Sequence, residues 1–258
     1  MQLYLAASPD RLAEARRYAV GTAHAAYRIG EASHLTALPL PTRLQGGLML
    51  LSDREAPPVQ EPEVLCRDIL QTCRDRRYGG VVLDFEAPPV ADRTRLVRQL
   101  DDLLPRRQLQ LFVPERWAAC TRQAAVVVCT ALSGGSLRLR LQEVVDRFAP
   151  RCVVLDCQRL AMDFLLPTPN GEGAPLTMQE LRRLQQGRSI YFSEDLCARY
   201  FTCSAGRHTR FVLFDDADTL RRKLQLAEEL GISAAFFMLP EIEDLLDALF
   251  PRRDTPSG

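Results

Sequence analysis

Gly79-Gly80-Val81-Val82-Leu83-Asp84-Phe85-Glu86 is the stretch from which the fold of this chain is read. Its apolar middle reads as a buried strand, and its end delivers two carboxylates, Asp84 and Glu86, two positions apart. Alternation along a strand sets residues i and i+2 on one face. Both acids are therefore expected to point into one site, where each raises the other's proton affinity. That arrangement suits a general acid.

Working outward, strand and helix signals alternate along the whole chain, which predicts a parallel sheet covered by helices. Strands are expected at Gln2 to Ala6, Ala25 to Arg28, Leu48 to Leu51, Val81 to Phe85, Leu109 to Val113, Ala124 to Thr130, Cys152 to Leu155 and Ser233 to Leu239. The second is the least distinct, because His34 to Pro41 also reads as extended. Helices are expected from Ser8 to Arg17, Pro62 to Arg76, Thr94 to Leu104, Leu139 to Phe148, Met178 to Gln186 and Thr219 to Leu230, the last stopped by Gly231. Between the seventh and eighth strands the rhythm breaks into a loop from Pro167 to Pro175 and a hairpin from Tyr200 to Phe214, turning at Ser204-Ala205-Gly206.

The chain has 258 residues, 47% of them hydrophobic. That length matches a single (β/α)8 barrel, so the expected fold is α/β: one barrel over residues 1–250 with a small hairpin insertion, and a disordered tail at 251–258. Basic and acidic residues balance at 33 each, so there is no global positive field of the kind that nucleic-acid binding requires. The first residues hold no basic region and only a short apolar run, so neither a signal peptide nor a membrane span is expected, and the chain as written reads as cytoplasmic. The eight cysteines lack any Cys-x-x-Cys pair; they read as reduced thiols, with no metal site and no cofactor.

The opening octapeptide resembles the signature of glycoside hydrolase family 18, Asp-Gly-x-Asp-x-Asp-[Trp/Phe]-Glu. Two further segments are similar to that family: Val154 to Pro167 (VLDCQRLAMDFLLP) to its seventh-strand segment, and Phe211 to Pro240 to its last repeat. The branch most similar is that of the spore-germination, cortex-lytic enzymes, which makes spore association a further expectation. The resemblance implies a glycosidase for N-acetylglucosamine-containing glycan, chitin-like or peptidoglycan. Glu86 then falls on the acid that protonates the glycosidic oxygen, and Asp84 on the residue that orients the substrate's N-acetyl group. Gly79 and Val82 stand where the outer two aspartates would be, and Ala131 and Leu132 where the sixth strand would carry Tyr and Asp.

Function in a barrel gathers where strands end, which expects Asp53, Asp84, Glu86, Glu115, Asp156 or Gln158, Asp163 and Glu241 at the mouth, an acidic and partly buried site whose pKa values rise through mutual repulsion and lost water. Candidate substrate contacts are Glu115, Trp117, Gln158, Asp163, Phe164 and Met238. Trp117, the only tryptophan, reads as a stacking platform or as a residue packed against a helix. Arg138, Arg140, Arg151 and Arg159 read as contacts to an anionic glycan or as solvated helix charges. Two other functional readings stay open: a barrel that has lost hydrolysis and binds glycan or a protein partner, and a different barrel enzyme that pairs Glu115 with Glu86.

Overall fold

The structure is a computed structural model that describes residues 1–41, 44–167 and 171–253. Eight parallel strands follow one another around a closed barrel: β1 (Gln2–Ala7), β2 (Gly21–Ile29), β3 (Leu48–Ser52), β4 (Gly80–Asp84), β5 (Gln110–Pro114), β6 (Ala125–Cys129), β7 (Val153–Asp156) and β8 (Ala234–Met238). Closure comes from β1, which pairs with β8 on one side (Leu3 opposite Ala235) and β2 on the other (Leu5 opposite Thr22). The barrel is thus the α/β architecture that the alternation predicts.

Three apolar layers hold it. Tyr4, Leu48, Leu50, Val82, Phe112, Val154 and Phe236 fill the interior. Phe236 stacks on Tyr4 at 5.0 Å and meets the edge of Phe112 at 5.3 Å, so aromatic rings plug this barrel rather than leave a pore. The other two layers lie between strands and helices. Helix Pro62–Arg76 buries Leu65, Cys66, Ile69 and Cys73 along one stripe, the i, i+3/i+4 spacing of an amphipathic helix. Gly80 is required where it stands, because a Cβ there would fall 2.5 Å from the Gln110 carbonyl oxygen of β5.

Three expectations need correction. The helix after β1 covers only Leu12–Ala15, because the chain leaves its axis to reach the C-terminal segment: Ala19 donates to the Pro251 carbonyl, and Arg253 donates to those of Arg17, Tyr18 and Val20. Residues 251–253, expected in the tail, are pinned there; 254–258 lie outside the described residues. Secondly, β2 is nine residues long, and Leu35–Ala37 pairs antiparallel with its end. Thirdly, the insertion after β7 is larger than a hairpin. Strands Ala198–Ala205 and His208–Phe214 form that hairpin, but they are part of a five-stranded antiparallel sheet with Ala161–Leu166, Ala174–Pro175 and Tyr191–Ser193. Ser204 and Gly206 of the expected turn sit at the hairpin end, where the bend itself is Gly206-Arg207. Helix Met178–Gln185 belongs to the same insertion, and its Leu181 packs with Phe201, Val212 and Phe214.

Candidate active site

Strand β4 sets Val82 in the barrel interior, and two residues on, past the aromatic plug, the same face carries Asp84 at the mouth. Asp84, the last residue of the strand, is exposed at the mouth. Its pKa is raised, first by burial and then by the charges of Glu86 and Asp53. Glu86 lies beyond the strand end and is exposed. Its carboxyl makes no hydrogen bond or ion pair among the described residues, whereas its backbone N–H donates to Asp53 Oδ1 at 2.9 Å.

Across the mouth, Asp156 ends β7 on the same face as Val154. Burial and the charge of Glu241 push its carboxyl up to about 7, and the Asp84 charge adds to the rise; the hydrogen bond from Gln158 Nε2, 3.0 Å from Asp156 Oδ2, opposes it. Glu241, just past β8, is also raised by burial, against the backbone N–H of Arg159 at 3.1 Å from its Oε2. Cys129, the last residue of β6 and level with Asp156, donates to Gln158 Oε1 at 3.4 Å. The mouth thus gathers three carboxyl groups, Asp84, Asp156 and Glu241, whose pKa values are raised, that of Asp156 to about 7.

The expected substrate contacts divide. Gln158 is exposed at the mouth, and Met238 ends β8 against the interior layer. Glu115 lies on the turn after β5, where it is paired with Arg140. Asp163 lies within the inserted sheet, 3.0 Å from Arg210. Phe164 is buried there, with Gly173 so close that a Cβ would fall 2.7 Å from its ring, and it offers no open face to a sugar. Trp117 is 0% exposed: its ring meets Phe85 edge to face at 5.4 Å and its Nε1 donates to the Ala87 carbonyl at 3.2 Å. It is a wall behind the acid-bearing loop, not a platform in front of it. Three of the four candidate arginines are likewise occupied, Arg138 by Glu229, Arg140 by Glu115 and Arg159 by Asp244, whereas Arg151 is exposed just before β7.

From the sequence, Asp156 and Glu241 are expected at the mouth among acids whose pKa values rise through crowding and burial, but neither is assigned a catalytic role, and Cys129 is not singled out. The signal was present, since Val154 and Asp156 repeat the spacing of Val82 and Asp84. Among the described residues, no group of three or more His, Cys, Asp or Glu side chains is arranged to hold a metal ion, and no helix is long and apolar enough to cross a membrane.

This architecture is that of the glycoside hydrolase family 18-like (β/α)8 barrels. Over 98% of its length the chain is similar to 75% of the spore cortex-lytic enzyme SleL of Bacillus megaterium QM B1551, with a TM-score of 0.69 at 17% identity. A chitinase of Chromobacterium violaceum matches over 93% of this chain and 95% of its own, with a TM-score of 0.65 at 15% identity. The family 18 chitinase of Cycas revoluta, solved with allosamidin, matches over 95% and 97%, at 0.64 and 14%. No protein-family model and no curated protein sequence matches this chain. The likeness is one of fold.

Proposed function

We propose that this chain is a glycoside hydrolase acting on N-acetylglucosamine-containing glycan, with cortex peptidoglycan and chitin-like chains as the substrate class. The observation that carries the reading is the placement of Asp84 and Glu86 at the C-terminal end of β4, in a barrel whose fold neighbours include chitinases and a cortex-lytic enzyme. In this reading the substrate's acetamido carbonyl attacks the anomeric carbon while Glu86 protonates the departing oxygen. Asp84 holds the acetamido N–H. Water then opens the oxazolinium intermediate with Glu86 as base, so configuration is retained without an enzymic nucleophile.

Family 18-like barrels commonly place a tyrosine on the sixth strand, and here Ala131 replaces it. The absence of a comparable donor costs roughly 2 to 4 kcal/mol of transition-state stabilisation, so turnover is slow. The buried Trp117 and Phe164 thin the sugar platform further, which favours a second reading in which the barrel binds glycan without cleaving it. Product analysis on chitooligosaccharides and cortex fragments, with wild type beside Glu86→Gln, separates the two. Cleavage of N-acetylated chains and inhibition by a thiazoline mimic of the intermediate support hydrolysis; efficient cleavage of plain glucans overturns it.

A further inference from the structure

Three side chains from two neighbouring loops converge on the backbone of the residues that follow β4. The ladder between β4 and β5 ends at Val82 opposite Phe112, and that between β3 and β4 at Ser52 opposite Asp84. The peptide groups of Phe85 to Ala87 therefore lie beyond the sheet, and side chains take the place of ladder partners. Asp53, just past β3, accepts the Glu86 N–H. Arg116, on the turn after β5, donates to the Glu86 carbonyl, and Trp117 next to it donates to the carbonyl of Ala87. Both polar groups of the Glu86 backbone are held, whereas its carboxyl has no partner among the described residues.

The Asp53 side chain is 2% exposed, and the nearest cation, Arg93 Nε, stands 3.6 Å from its Oδ2 without a hydrogen bond between them. Arg93 is itself turned to the Ala56 carbonyl at 3.2 Å, and Asp92 beside it accepts the Val59 N–H at 2.8 Å. The loop after β3 is thus sewn to the first turn of the helix that follows β4, Ala91–Leu103. Burying a carboxylate is unfavourable unless its hydrogen bonds compensate, and the bond from Glu86 is the one that Asp53 Oδ1 has in place of water.

We propose that Asp53, Arg116 and Trp117 are positioning residues that fix the backbone of Glu86, so that an otherwise unrestrained carboxyl is presented to substrate in one place. The assignment rests on the function proposed above. Precision of this kind acts on the reacting geometry rather than on ground-state binding, and a misplacement of about 1 Å costs roughly 100-fold in rate.

The test combines steady-state kinetics on chitooligosaccharides with amide hydrogen exchange at Glu86 in the full chain. Asp53→Ala removes the acceptor, and kcat is expected to fall by roughly 10- to 100-fold with KM within about twofold, while the Glu86 amide loses its protection. Asp53→Asn keeps an acceptor oxygen and restores both. Arg116→Met, which alters an exposed arm and spares the core, is expected to lower kcat several-fold. Unchanged kcat in Arg116→Met, or an equal loss in KM and kcat across the set, overturns the proposal. If wild type shows no turnover, the proposed function fails, and the exchange data decide the clamp alone: a Glu86 amide equally protected in wild type and Asp53→Ala overturns it.

Discussion

Lys223 Nζ lies 2.7 Å from Asp215 Oδ2, and both side chains are buried. Asp215 also accepts the Leu160 N–H at 2.9 Å and the Thr219 hydroxyl at 2.8 Å. Leu160 opens the insertion and Asp215 closes it, so one buried pair ties both of its stems to helix Ala217–Glu229. Removing one partner of such a pair leaves an uncompensated charge. Lys223→Met should therefore destabilise the fold by about 3 to 5 kcal/mol, read as a lower urea midpoint. Adding Asp215→Asn should recover most of the loss, and an additive double variant would contradict the pairing.

Asp156 predicts a stability that declines with alkalinity. Its folded pKa, about 7, lies above the unfolded value, so as pH rises from about 4 to 7 the unfolded chain gives up this proton first and the fold loses stability across that window. A shift of about 3 units corresponds to at most ~4 kcal/mol. Asp156→Asn, which accepts the same bond from Gln158, should raise the melting temperature at pH 8 and leave it nearly unchanged at pH 4. A gain of equal size at both values would assign the effect to packing.

The opposite slope belongs to His24. It is a buried residue of β2, with Nδ1 2.8 Å from the Tyr78 hydroxyl, which in turn lies 2.9 Å from that of Tyr27. Burial lowers its pKa to about 4, helped by the charges of Arg16 and Arg76. Stability from the neutral ring is complete above the unfolded value near 6.5 and is lost as pH falls through 4, up to roughly 3 kcal/mol. Urea titrations at pH 7 and 4.5 should show that loss in wild type and a flatter response in His24→Gln.

For the chemistry itself, Glu86→Gln should lower turnover by roughly 100- to 10,000-fold, the usual contribution of a positioned acid, with thiazoline affinity retained. Calorimetry beside the product assay checks both halves. Full activity in the variant would remove Glu86 from the mechanism.

Much of this was legible in the residues. The β4 octapeptide put Asp84 inward because alternation from Val82 leaves no other choice, and the helix Pro62–Arg76 was readable to the residue from its apolar stripe and its proline start. Strand β2 was blurred because His34 to Pro41 also reads as extended, and part of that stretch, Leu35–Ala37, does pair with the end of β2. Of the inserted strands the hairpin was legible from its turn, but Ala161–Leu166 was hidden for a different reason: its main partner, His208–Phe214, lies far along the chain, and such pairing leaves no local pattern. Trp117 stood at the right place along the chain, but the turn Glu115–Cys120 that aims its ring inward is a tertiary outcome. The acids of the mouth were legible one by one, and so was the upward direction of their pKa values through crowding and lost water; that Asp156 is shifted as far as about 7 is a property of the closed barrel.

The burial of Trp117 has an optical consequence. As the chain's only indole, shielded from water and hydrogen-bonded to the residue after Glu86, it should emit at short wavelength in the native state and report on this one loop. A red shift that precedes the loss of helical circular dichroism on heating would mean that the loop carrying the acid opens before the barrel does.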